Sequence, residues 1–395
     1  MFRLSRLSFL SLALAGALAA AACTPRVSTS GGQTPAPDPT PANPVPVDQP
    51  VTIALLAPQS AANPGAAALG KALVNAARMS AVDVGNPMLN LKVYDTGGDP
   101  GKAAAVAQQA IADGAKLIVG PLFGTATKAV AGPATAAGVK VISFSTDATA
   151  AGDPVYLSGF LPEMEARRIT TFARARGYNS IALFYPQTAV GSAAQRGIRA
   201  AGSGVVVNET PYERTAEGIK TGAAAFATAA KAAGATAILL PEQGQGLQFV
   251  GALMQNGGLD PSAVKYLGLG GWNARATLSE NALRGGWFTA PEPALMKNFV
   301  TKYQGSFGAV PPPLAVLGYD AVQIAGQLLA EARATRSNDP FSTRALTRPQ
   351  GFRGAVGPVR FGPNGLGERG LAVLEVSRGV FQTIDPAPGA FGAGS

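Results

Sequence analysis

With no histidine and one cysteine in 395 residues, few side-chain combinations remain that could do chemistry. Imidazole catalysis, histidine metal ligation and a histidine pH switch are excluded. A Cys-rich zinc site and an intrachain disulfide are excluded as well. One motif set survives this count: Ser262-Ala-Val-Lys265, Lys220-Thr-Gly222 and Ser279-Glu-Asn281, the elements of a lysine-activated serine nucleophile. Their order argues against it. Lys220-Thr-Gly222 should come last and lie on a strand, but it interrupts an Ala-rich helical stretch, and Ser262 follows the turn at Asp260-Pro261. Glu163 and Glu165 fall on adjacent faces of a predicted helix and read as solvated. The Gly120–Lys128 stretch lacks Walker A spacing. The chain is therefore read as non-catalytic, with no metal and no cofactor.

A second group of polar residues follows apolar runs: Ser60, Gly124 and Thr125, Ser143, Ser145, Thr146 and Asp147, Tyr185, Glu242, and Trp272. Small hydroxyls beside helix N-termini suit a carboxylate, and Trp272 could wall a ligand site. These residue types also cap helices and close turns.

The runs that must position them alternate in type. Val51–Ala57, Leu91–Asp95, Lys116–Gly120 and Val139–Ser143 read as buried strands, with helices predicted over 65–83 and 100–113. After a loop at 147–154 the rhythm restarts. Helix 163–176 leads to strand 180–185, helix 189–201 to strand 205–208, helix 216–233 to strand 236–240 and helix 245–256 to strand 266–269. Leu117–Gly124 and Ile238–Gly244 repeat one pattern: apolar strand, proline, then glycine opening a helix. This predicts an α/β protein with two Rossmann-like lobes, each a parallel sheet covered on both faces. Helices 292–305 and 314–335 follow, then strands within 351–361, 371–376 and 380–384, of antiparallel character.

Hydrophobic residues make up 47% of the chain and charged residues 14%, well under the roughly 25% of an average soluble protein. The net charge is +9, or +7 without Arg3 and Arg6. No basic run is dense enough for a nucleic-acid stripe. Residues 1–22 have the layout of a secretory signal, a basic start and then an apolar Ala/Leu stretch. The small residues ending it meet Cys23, which resembles the bacterial lipobox and implies a lipid-modified Cys23. Thr24 in place of aspartate then implies the outer rather than the inner membrane. Residues 24–50 hold eight prolines and read as an extended tether.

Across 51–385 the sequence resembles the type I periplasmic binding proteins of the leucine/isoleucine/valine-binding family. Five segments carry this: Ile53–Pro58, Asp99–Ala103, Ile118–Gly124, Val139–Ser143, and Gly351-Phe-Arg-Gly354 through Phe361-Gly-Pro-Asn-Gly365. The resemblance implies a three-crossover hinge that closes two lobes on a ligand. Residues 51–155 with 285–335 would form one lobe, 156–284 with 336–385 the other, and 386–395 a tail. It further implies a periplasmic, lipid-anchored protein that captures a small polar or amino-acid-like solute for an ABC permease.

The chain departs from that pattern where family members hold amino acids. Gly124 stands in place of serine, Val190 in place of an aromatic residue before Gly191, and Leu240 in place of a tyrosine before Pro241-Glu242. The acidic residue that pairs a ligand ammonium would fall near Gly270 or Gly271, with Asp147 and Glu242 as the carboxylates left to replace it. These departures resemble the sister group of penicillin-binding-protein activator lipoproteins, whose partner is a cell-wall synthase.

Overall fold

The computed structural model describes residues 43–46 and 48–392. The signal segment, Cys23 and most of the tether lie outside the described residues.

The first lobe is built by strict alternation. Strand β1 (Val51–Ala57) is followed by α1 (Pro64–Val84), β2 (Leu89–Asp95), α2 (Pro100–Ala112), β3 (Ala115–Val119), α3 (Gly124–Ala137), β4 (Lys140–Ser143) and β5 (Val155–Leu157). The five strands pair in parallel in the order β2-β1-β3-β4-β5. Successive side chains of a strand point to opposite faces, and β1 divides its own accordingly. Ile53 and Leu55 join Leu73, Val74 and Ala77 of α1 on one face. Ala54 and Leu56 join Ala103, Ala107 and Ala110 of α2, with Ala126, Val130 and Ala134 of α3, on the other. A strand buried on both faces must be apolar throughout, hence the unbroken run Val51–Ala57.

The second lobe repeats the device with α4 (Pro162–Ala175), β6 (Ile181–Pro186), α5 (Ala189–Ala200), β7 (Val206–Tyr212), α6 (Ala216–Ala232), β8 (Ala237–Leu239), α7 (Gly244–Asn256) and β9 (Lys265–Gly268). Ile181 and Leu183 pack with Ile169, Ala194 and Ile198 of α4 and α5, while Ala182 and Phe184 face Phe226 and Val250 of α6 and α7.

The remaining elements are shared differently from the sequence expectation. Strand β10 (Trp287–Ala290) lies beside β9 in the second sheet, whereas the sequence assigned it to the first lobe. Helices α8 (Pro293–Phe307) and α9 (Val316–Thr335) pack on the first lobe. After the short α10 (Thr343–Leu346), strands β11 (Phe352–Gly354), β12 (Gly357–Phe361) and β13 (Gly367–Arg369) form a separate antiparallel sheet. That sheet also belongs to the first lobe. Phe352, Val359 and Phe361 enter its core, and Leu366 bridges Leu157. Only β14 (Ala372–Ser377) and β15 (Val380–Asp385) reach the second sheet, whose order is β15-β14-β10-β9-β8-β6-β7. The apolar period of a strand states how much of it is buried but not against which sheet, so the lobe of 336–370 was not readable from pattern.

The chain thus passes between lobes three times, after β5, after β10 and after β13. A buried ion pair ties two of these crossings together. Arg369 Nη1 donates to Asp320 Oδ2 of α9 at 2.6 Å and its Nε to the Ser158 carbonyl at 2.8 Å. Its guanidinium lies 4.7 Å from the Phe160 ring centre.

The end of the tether is not free. Val45 is 4% exposed, and its N–H donates to the Asn338 carbonyl at 2.8 Å. Lys116 reaches Asn43. One apolar residue among the prolines suffices to dock this stretch on the first lobe.

Candidate functional site

A cleft of about 780 Å³ opens beside the crossings. Its second-lobe wall comes from the end of β6 and the segments following β6, β8 and β9: Pro186 and Thr188, Pro241–Gln243, and Leu269–Gly271 with Asn273. Phe160, Pro162, Pro291 and Pro293 of the crossings line it, and Met296, Pro313 and Leu314 close the first-lobe side. The lining is largely apolar, with few convergent polar groups, as small-molecule sites are.

Two carboxylates of this wall differ in state. Glu242 is 4% exposed and fully bonded. It accepts from Tyr212 Oη at 2.9 Å, from Arg214 Nη2 at 2.8 Å and Nε at 3.1 Å, and from the Gln243 N–H at 3.0 Å. Burial, then the adjacent Glu242 charge, push the Tyr212 hydroxyl well above its usual range. The hydrogen bond to Glu242 raises the Arg214 guanidinium further. Arg214 itself is half exposed and lines the cleft.

Glu165 is 7% exposed and, among the described residues, its carboxyl has one hydrogen bond: Oε2 accepts from the Gly270 N–H at 3.2 Å. Burial pushes its carboxyl up to about 8, and the Gly270 contact offsets this only in part. A Cβ on residue 270 would lie 2.6 Å from Glu165 Oε1, so glycine there lets the carboxylate reach the backbone. The reading of Glu165 as solvated is corrected. Glu165, Ile169 and Phe172 fall on one helical face at the spacing of a buried stripe, which was the available signal. Glu163 is partly buried, with 18% of its side chain exposed, and pairs with Arg196 at 2.7 Å.

Of the polar candidates after strands, Glu242 lines the cleft, and Ser60, Gly124, Thr125, Ser143, Ser145, Thr146, Asp147, Tyr185 and Trp272 have other surroundings. Ser60 donates its N–H to Asp95 Oδ1 at 3.1 Å and its hydroxyl to Oδ2. Asp95 also pairs with Lys102 at 3.0 Å. Burial opposes its ionisation, but these hydrogen bonds, with the one from Gly97, hold it well below the carboxylate range. Ser143 is fully buried, bonded to the Pro121 carbonyl at 3.0 Å and to Thr127 at 2.8 Å. Ser145 accepts the Asp147 N–H at 3.0 Å. Asp147 pairs with Lys128 at 2.8 Å and accepts from Thr149, and these contacts lower its pKa. Its Oδ2 would lie 2.8 Å from a Cβ on Gly124, so a charged carboxylate already stands at the start of α3. Thr125 and Thr146 are exposed, and Tyr185 Oη accepts from Gln195 at 2.9 Å.

Trp272 does not wall the cleft. It is 0% exposed, in the core behind it, with Nε1 donating to the Leu240 carbonyl at 3.1 Å. A Cβ on Gly268 would lie 2.2 Å from the indole, so bare backbone provides its slot. Size drew it inside, and the carbonyl satisfied its one polar atom.

The serine–lysine motif is dispersed as well. Ser262 Oγ donates to Asp260 at 2.6 Å, while Lys265 Nζ bonds the Gly285 carbonyl at 2.8 Å and lies 4.4 Å from the centre of the Trp287 ring. Among the described residues, no group of three or more acidic or cysteine side chains is placed to hold a metal.

Two lobes, each a helix-covered parallel sheet, with three crossings and a cleft at the strand ends, define a bilobal binding protein. The chain belongs to the periplasmic binding proteins: a family model of that description matches residues 50–380. Among the curated proteins none matches. The fold is similar to solved structures that share little sequence. One, described as a branched-chain amino acid ABC transporter from Rhodospirillum rubrum, has a TM-score of 0.71 at 19% identity, over 85% of this chain and 100% of the other. The branched-chain amino acid substrate-binding protein LivJ of Streptococcus pneumoniae, solved with isoleucine, gives 0.56 at 18%, over 86% and 100%. A solute-binding protein of Rhodopseudomonas palustris, solved with 3,4-dihydroxybenzoic acid, gives 0.58 at 21%, over 85% and 96%. The expectation of the type I fold from the leucine-binding family is met.

Proposed function

We propose that this chain is a periplasmic solute-binding protein, held to a membrane through lipidated Cys23, that captures a small polar or amino-acid-like ligand between its lobes for an ABC permease. The observation that carries this reading is the cleft itself. An apolar lining surrounds a buried carboxyl, Glu165, which among the described residues no cation meets, and a half-exposed guanidinium, Arg214. An ionised carboxylate in such a place is costly until an opposite charge arrives. The neighbours solved with isoleucine and with a dihydroxybenzoate use the same fold for small solutes.

The test is a thermal-shift screen of the full chain in detergent against amino acids, amines and small organic acids. A solute at 100 times its dissociation constant adds about 2.7 kcal/mol of stability. Absence of a shift with every solute would remove the uptake reading.

A second reading has its own support. The strand-end groups of the first lobe are bonded within it, Ser60 to Asp95, Asp95 to Lys102, Ser143 to Thr127 and Asp147 to Lys128, as suits a protein that has turned from solutes to a protein partner. In that case the chain would be a penicillin-binding-protein activator. A purified synthase that binds it and gains activity, with no solute effect, would favour this reading.

A further inference from the structure

Three charged side chains line the cleft: Glu165, Arg214 and Glu242. Two of them neutralise each other, since Arg214 holds the Glu242 carboxylate through Nε at 3.1 Å and Nη2 at 2.8 Å. Glu165 has no cation beside it among the described residues, and its carboxyl takes only the Gly270 N–H. With Glu165 ionised, the lining is therefore one positive charge short of neutral. An amine supplies that charge. A zwitterion supplies none in sum, and an anion would leave Arg214 to serve two carboxylates.

Donors for a ligand carboxylate are scarce as well. Pro186 ends β6 and Pro241 lies just beyond β8, and proline has no N–H to offer at these strand ends. Thr188 and Asn273 donate their N–H groups to the Pro186 and Gly270 carbonyls at 2.8 and 3.0 Å. The Gln243 and Gly270 N–H groups go to Glu242 and Glu165. The strand-end hydroxyls of the first lobe, Ser60 and Ser143, stand outside the lining and are bonded to Asp95 and Thr127. On the first-lobe side Met296 and Leu314 present apolar surface instead.

We infer that the cleft selects an apolar amine, a monocation with a hydrocarbon body and no carboxylate, whose ammonium is received by Glu165. This rests on the solute-binding reading and deepens it by naming the ligand class. The ammonium turns an isolated buried carboxyl into a hydrogen-bonded ion pair, and the body covers apolar wall that water otherwise meets.

Calorimetric titration of the full chain in detergent with phenethylamine, phenylalanine and 3-phenylpropionate tests this, because the three share a ring body and differ in their charged groups. Isopentylamine, leucine and 4-methylpentanoate form a second such set with a smaller body. Each amine is expected to bind at least about tenfold more tightly than the amino acid and the acid of its set. In Glu165→Gln, shown to be folded by its melting transition, that preference should vanish. An amino acid or acid that binds as tightly as its amine overturns the inference. So does a failure of both amines to bind, or an amine preference that survives in Glu165→Gln. If an amino acid, an acid or another solute of the broader screen binds while the amines do not, this inference fails and the uptake reading stands.

Discussion

Glu165 Oε2 lies 3.2 Å from the Gly270 nitrogen, so a carboxyl from α4 occupies the neighbourhood where the resemblance expects an acidic residue, near Gly270 or Gly271. The sequence offered Asp147 and Glu242 as substitutes. Asp147 pairs with Lys128 and Glu242 with Arg214, which leaves the helix residue as the carboxyl available to the cleft.

Its titration gives a prediction with a definite sign. The folded-state value, about 8, lies above the reference of 4.5, so between these limits the folded state binds the extra proton. The associated stability is present in full below about pH 4.5 and is lost as pH rises through about 8. The loss integrates to a few kcal/mol. Glu165→Gln, which cannot ionise, should gain on the wild type over that window. Denaturant midpoints measured at pH 5, 7 and 9 check it, and parallel curves for the two proteins would show that Glu165 ionises freely.

The buried pair of Arg369 and Asp320 predicts an effect of similar size that does not depend on the cleft. Their side chains are 4% and 0% exposed, and Asp320 also accepts the Ala355 N–H at 2.6 Å. Asp320→Ala would leave the guanidinium buried without its counter-charge, at a cost of about 3–5 kcal/mol. Urea unfolding measures this. A cost under about 1 kcal/mol would mean that the pair is solvated in solution.

Trp272→Ala should cost about 3–5 kcal/mol through the cavity it leaves, because the indole fills a slot bounded by Gly268 and Gly286. A ligand-walling tryptophan would instead affect binding and spare stability. Comparing the unfolding midpoint with the affinity for any solute found in the screen separates the two roles.

Cys23→Ala should move the protein from the membrane fraction to the soluble one, because a several-chain lipid anchor is what would hold it there. Fractionation of cells expressing the variant checks this. Unchanged membrane retention would show that the signal segment itself is the anchor.

Much of the architecture was legible because a strand buried on both faces has to be apolar throughout and the helices covering it have to be amphipathic. Val51–Ala57 and Ile181–Pro186 show this directly. The candidate site was less so. Small polar residues after strands serve turns, caps and ligands alike, and Ser60, Ser143 and Asp147 proved to be bonded within the first lobe. Arg214 drew no notice, since a lone arginine after a strand reads as surface until the buried Glu242 beneath it is seen.

From the sequence alone came the α/β class, the two-lobe series and the residue types available for chemistry, since these depend on local periodicity and composition. The tertiary structure decided which lobe took β10 and residues 336–370, that Val45 is docked, and which carboxylates are paired. Those outcomes depend on contacts between residues far apart in the chain. The pairing of a charge, and with it the state of Glu165, is set by what folding brings beside it.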